Sequence, residues 1–159
     1  MSVAGLPRIA STPGYSGKPL WSKLGLKPGL HVRLQGEPHD YWQLCAFDAA
    51  SVTPVSPRAT FDFGHIFITS RVALTRALVA ASQKLEPAGM LWVSWPKKSS
   101  GVTTDVTEDT LREVALPLGL VDVKVCAVTE VWSGLKLMWR RGARPALTPG
   151  KAGSRRKQT

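Results

Sequence analysis

The sequence is poor in the residues that build metal and redox sites. It has two cysteines, Cys45 and Cys126, and three histidines, His31, His39 and His65, scattered along 159 residues. No CxxC, HExxH or His-rich cluster occurs, so no zinc or iron site is expected. Two cysteines 81 positions apart do not make a disulfide framework, and both read as small buried apolar residues. No apolar run approaches the length of a membrane span. The N-terminus lacks a basic start followed by an apolar block, so no secretory signal is read and a cytoplasmic protein is expected. There is no GxSxG, P-loop or GxGxxG, which leaves hydrolase and nucleotide-hydrolysis chemistry without support.

Acidic residues are scarce as well: 11 stand against 21 Lys and Arg, for a net charge of +10. The excess is concentrated at the end. Residues 140–159 contain Arg140, Arg141, Arg144, Lys151, Arg155, Arg156 and Lys157 and no acid, so the rest of the chain sets fourteen basic against eleven acidic residues. Such a run attracts nucleic acid, acidic proteins or anionic lipid, and also suits a solvated disordered tail. Residues 142–159 are read as that tail. Residues 1–18, rich in Gly, Pro and Ser, are read as a flexible arm, and 19–141 as one α/β domain.

Within 19–141 strand and helix patterns alternate. PLWSKLGLKPG (19–29) has room for one helical turn, with Trp21, Leu24 and Leu26 packing on the body. HVRLQ (31–35) alternates as a strand, with Val32 and Leu34 on one face. Gly36 ends it, and Pro38 and Asp40 suit the start of a helix running to about 48, with Trp42, Cys45 and Ala46 on one face. SVTPVS (51–56) is strand-like, but Pro54 confines it to an edge. FDFGHIFIT (61–69) is a strand, and Thr69 or Ser70 caps a helix over 71–85 with Leu74, Leu78, Ala81 and Leu85 inward. MLWVSW (90–95) reads as a central strand after a turn at Pro87 and Gly89. Thr107 caps a further helix, with Leu111, Val114, Ala115 and Leu118 facing the core. VDVKVCAV (121–128) and GLKLMWR (134–140) form an antiparallel hairpin.

The order FDFGHIFIT, helix, LEPAGMLWVSW, helix, LGLVDVKVCAV, hairpin strand is similar to the C-terminal half of a class I methyltransferase. LGLKPG, WVSWPKK and EVALPLGLVDVKVCAV resemble a family of small bacterial proteins of unknown function with such a sheet. The resemblance covers about residues 14–141. It implies a single Rossmann-like, three-layer α/β domain of truncated methyltransferase topology, with a mostly parallel sheet and a C-terminal antiparallel hairpin strand. It also implies S-adenosylmethionine as cofactor.

The residues depart from that implication. The cofactor loop of the family carries several glycines after its first strand, whereas QGEPHDYW has Gly36 alone. The second strand should end in an acid for the ribose, and here Ser56-Pro57-Arg58 follows. Only residues 57–60 separate the edge segment from FDFGHIFIT. Four residues span roughly 14 Å at most, so the edge strand is expected to be shorter, antiparallel or not a strand. S-adenosylmethionine is therefore disfavoured, and no other cofactor is expected.

Ligands of open α/β sheets sit outside the carboxyl ends of the strands. That rim collects Gly36 and Glu37; Thr69, Ser70 and Arg71; and Lys97 and Lys98. Thr69 and Ser70 open a helix whose N–H groups favour an anion, and Arg71, Lys97 and Lys98 add charge. Ordinary capping beside a solvated basic loop accounts for the same residues. Trp92 and Trp95 lie three apart on a strand and point to opposite faces. Trp92 reads as core and Trp95 as the candidate for stacking a ligand ring, with packing under a helix as the alternative. Ser94-Trp95-Pro96-Lys97 and Ser133-Gly134-Leu135-Lys136 match SxxK, but Ser94 falls inside a strand. No catalytic residue is assigned, and His65 reads as a satisfied, partly buried histidine. Two functions follow from the residues: a non-catalytic binding module on a degenerate methyltransferase-like sheet, or a methyltransferase with an atypical cofactor site. Polyanion binding by the basic tail is separable from both.

Overall fold

The computed structural model describes residues 17–143. The arm and tail expected at the two ends lie almost wholly outside that span. In chain order the elements are α1 (Leu20–Leu24), β1 (His31–Gln35), α2 (Tyr41–Cys45), β2 (Thr53–Pro54), β3 (Phe61–Phe67), α3 (Arg71–Ser82), β4 (Leu85–Pro96), α4 (Glu108–Ala115), β5 (Leu120–Ala127) and β6 (Trp132–Trp139). The strands form one sheet in the order β2-β1-β3-β4-β6-β5. β2, β1, β3 and β4 run parallel, and β6 is antiparallel to both β4 and β5. This is the α/β domain with a closing hairpin that the residue pattern implies.

Two layers cover the sheet. On one face α3 and α4 bury Leu74, Leu78, Ala81, Leu111 and Ala115 against Ile66, Leu91, Val93, Trp95, Leu135 and Leu137. On the other, α1 and α2 bury Leu24, Tyr41 and Cys45 against Val32, Phe63, Phe67 and Trp92. Trp92 and Trp95 face opposite layers, as strand alternation requires. The Trp92 indole N–H donates to the Leu24 carbonyl at 2.8 Å, which ties the short α1 to the centre of the sheet. Ser70 caps α3 by accepting from the Ala73 N–H at 3.1 Å. Thr107 caps α4 in a reciprocal box with Thr110.

Four boundaries differ from the sequence pattern. The segment 51–56 contributes only Thr53 and Pro54 to the sheet, and they pair parallel to β1. A strand this short lets six residues return the chain to β3. β4 starts at Leu85, not at 90: Phe61 pairs with Leu85 and Phe63 with Met90, so Pro87 and Gly89 lie in a bulge of the strand instead of a turn before it. That start also ends α3 at Ser82. α2 is shorter than the pattern 38–48, and it buries Tyr41 and Cys45 while Ala46 leaves the helix at positive φ. β5 closes the sheet with a bulge at Val123, where Val123 and Val125 stay exposed. Lys124 stands directly opposite Lys136 on β6.

Leu78→Ala should lower the unfolding free energy by about 2–5 kcal/mol, since it empties fully buried space. Ser70→Ala should cost about 1 kcal/mol through the lost cap. Urea denaturation of the two variants checks both values and their order.

Candidate functional site

The carboxyl edge of the sheet is built from three chain crossings. After β1 the chain turns at Gly36, which holds φ +70°. A Cβ at this position would sit 2.5 Å from the Phe67 carbonyl oxygen, so the turn is pressed against the end of β3. Glu37 is exposed beside it. At the end of β3, Thr69, Ser70 and Arg71 lead into α3. At the end of β4, Pro96 pairs with Trp132, whose ring packs edge-on to Phe67 at 5.1 Å.

The anion-binding features at the start of α3 already have partners within the chain. The Ser70 hydroxyl is engaged as the α3 cap. The Arg71 N–H donates to the Asp105 carboxylate at 2.7 Å. The Arg71 guanidinium donates to Glu113 at 2.8 Å. The Thr104 hydroxyl donates to the Thr69 carbonyl at 2.6 Å. The segment 101–107 is thereby laced onto the rim, and its own carboxylate occupies the positive end of α3. The Lys97 N–H donates to the Val131 carbonyl at 2.7 Å, and Lys98 is exposed in the following turn. Trp95 lies on the α3/α4 face, 8% exposed, within that core. The structure thus brings Gly36 close to the end of β3, where Thr69, Ser70 and Arg71 follow, and buries the Trp95 ring in the α3/α4 core. Arg140 and Arg141 are exposed after β6. Arg144, Lys151, Arg155, Arg156 and Lys157 lie outside the described residues.

Beneath the rim, on the α1/α2 face, is a polar chain that no local pattern announces. The Tyr41 hydroxyl meets His65 Nδ1 at 2.8 Å, and His65 Nε2 meets the Ser94 hydroxyl at 2.8 Å. His65 and Ser94 are fully buried, and Tyr41 nearly so. One ring nitrogen of a neutral imidazole donates and the other accepts, so each hydroxyl supplies the complement. His65 also stacks on Phe67 with ring centroids 4.3 Å apart, and Tyr41 stands edge-on to both rings. Burial pushes the His65 pKa down to about 3 and raises that of Tyr41. A serine beside a histidine has the composition of a nucleophile and its base. Here neither atom reaches solvent, and the ring stays neutral, so the chain acts as a plug in the core. Sequence reasoning found His65 because a histidine inside an apolar strand needs partners. It missed Tyr41, 24 residues away, and the pairing with Ser94.

An open cleft of about 660 Å3 lies at the opposite edge, at the amino ends of β1 and β3. Its lining includes Lys27, His31, Asp62 and Glu86. Asp62 accepts from the His31 N–H at 2.6 Å. Among the described residues no three His, Cys, Asp or Glu side chains are placed to share a metal ion, and no helix is long and apolar enough to cross a membrane.

Residues 69–141 match the model of a protein family of unknown function (DUF3052), a stretch a little under half of the chain. No curated protein sequence is a significant match. Several solved structures share the fold. A putative type 11 methyltransferase from Sulfolobus solfataricus superposes with a TM-score of 0.54 at 14% identity, over 76% of this chain and 89% of that one. The ribosomal protein L11 methylase from Lactobacillus delbrueckii subsp. bulgaricus gives 0.51 at 11% identity, over 75% and 74%. The Methanococcus jannaschii fibrillarin pre-rRNA processing protein gives 0.50 at 13%, over 72% and 68%. At these identities the likeness is one of fold: the domain has a methyltransferase-like Rossmann architecture.

Two outcomes follow from the rim and the plug. Gly36→Val should destabilise the fold by about 1–3 kcal/mol, because the new side chain meets the Phe67 carbonyl in a left-handed backbone; denaturation midpoints check it. His65 is held neutral when folded and titrates near 6.5 when unfolded. The unfolded chain therefore binds the extra proton, and stability present above pH 6.5 is lost as pH falls toward 3. Between pH 7 and 5 this group alone should remove about 2 kcal/mol. Denaturation of His65→Gln over the same range should show a shallower fall than the parent chain.

Proposed function

We propose that this protein is a methyltransferase-like domain that works by binding a partner and does not transfer methyl groups. The observation that carries the reading is the plug: the space under the rim where β1 and β3 diverge in chain order is filled by Tyr41, His65 and Phe67 and locked by the two hydrogen bonds to His65. In open α/β sheets that divergence is where a ligand enters.

The residues present do not fit S-adenosylmethionine. A cofactor lying on the loop after β1 needs backbone free to approach it. Gly36 is the single glycine there, and its open side is taken up by the Phe67 carbonyl. The ribose hydroxyls need an acceptor at the end of β2, and that strand stops at Pro54 and is followed by Val55, Ser56, Pro57 and Arg58, none of them acidic. The helix start at Ser70, where an anionic group would find N–H donors, is supplied by Asp105. On this reading the sheet is kept as a scaffold, and its outer surfaces engage the partner.

Calorimetric titration of the purified protein with S-adenosylmethionine and with S-adenosylhomocysteine tests it. The expected result is no saturable heat for either at millimolar concentration. Micromolar binding of either one overturns the proposal and favours the reading of a methyltransferase with an atypical cofactor loop, with methyl transfer as the next assay.

A further inference from the structure

Arg33 is the residue that the fold leaves unexplained. It lies in the middle of β1, which pairs with β2 on one side and β3 on the other. Val32 points into the α1/α2 core, so Arg33 points to the opposite face. It is 8% exposed, and its Nη1 is buried without a hydrogen-bond partner, the one such side-chain nitrogen or oxygen among the described residues. No carboxylate pairs with it there. Its guanidinium rests 5.6 Å from the centre of the Phe61 ring. That ring lies over Gly64, where a Cβ would fall 2.6 Å from it, and Gly64 is the cross-strand neighbour of Arg33. A glycine, a ring and a guanidinium are thus stacked in order.

The cover over Arg33 follows from topology. β2 and β3 flank β1 and both run parallel to it, so residues 55–60 cross β1 between them. Val55 packs into the α3/α4 core, which puts the crossing on the face of Arg33. The crossover carries Ser56, Arg58 and Thr60. Arg58 is exposed and likewise has no carboxylate partner among the described residues. A buried donor left without a partner costs free energy, and burial here pulls the Arg33 pKa below its usual value. A fold that keeps such a group gains from it when an anion arrives. The planar fork of a guanidinium matches an oxyanion in two parallel hydrogen bonds. The cleft at the amino edge has a mixed lining, Lys27 and His31 beside Asp62 and Glu86, and Arg33 is not part of it.

We propose that Arg33 anchors a binding site for a small oxyanion, a phosphate or a carboxylate, seated under the crossover 55–60 with Arg58 at its mouth. The site is separate from the carboxyl rim and does not depend on the reading of the rim given above.

Thermal unfolding of the full chain in inorganic phosphate, in acetate and in chloride, at equal ionic strength, tests the proposal. One oxyanion should raise the midpoint of the parent protein by about 3 °C or more when present at several times its Kd. The one that does so identifies the group. Arg33→Met should be at least as stable as the parent in chloride, since it removes a buried donor left without a partner, and should not respond to either oxyanion. Arg33→Lys keeps the charge without the fork and should need about tenfold more anion for the same shift. The proposal is overturned if neither oxyanion moves the parent, or if parent and both variants move equally.

Discussion

Six residues, 55–60, must carry the chain from β2 to β3 across β1, with both strands parallel to the one between them. An extended chain of that length reaches roughly 20 Å, and crossing the width of two strands uses about half of it. Little is left for travel along the strand direction, so β2 has only two residues. The same constraint decides what lies on that side of the sheet. A longer connection would place helix and strand over β1. Here a single stretch of backbone covers it, and a long cation takes the place of an apolar core residue.

The two faces of the domain answer this economy differently. On the α3/α4 side, capped helices and a continuous apolar cluster do the work, with Phe61 and Gly64 adapting its margin to Arg33. On the α1/α2 side, two five-residue helices provide too little apolar surface for a purely hydrophobic layer. That layer is fixed by directional bonds: Trp92 to the Leu24 carbonyl, and Tyr41 through His65 to Ser94. Hydrogen bonds in a dry core favour one arrangement over near alternatives because the unsatisfied state is so costly. The short α2 is therefore held at one depth and one rotation.

Most of the fold was legible in the residues, and the reasons are local. Periodicity marked α3 and α4, Ser70 and Thr107 marked their caps, and alternation separated Trp92 from Trp95. The places that escaped were set by distant partners. The start of β4 depends on Leu85 pairing with Phe61 across a bulge that Pro87 and Gly89 conceal as a turn. The rim read as basic and open because Arg71 sits at a helix start; its two carboxylates arrive 34 and 42 residues later. His65 advertised a need for partners, but only the folded chain supplies Tyr41. Arg33 reads as the polar half of an alternating strand, and nothing in HVRLQ says that the polar side is covered.

The last strand has a consequence for how the molecule lives in a crowded solution. Among the described residues nothing pairs with the outer edge of β5, where Val123 and Val125 are exposed to reward a neighbour that docks there. Lys124 facing Lys136 sets two like charges on one rung, and the bulge at Val123 breaks the spacing that a straight incoming strand needs. Colloidal stability is thus built into the edge: two molecules meeting there encounter repulsion and a mismatched ladder before they find the valines.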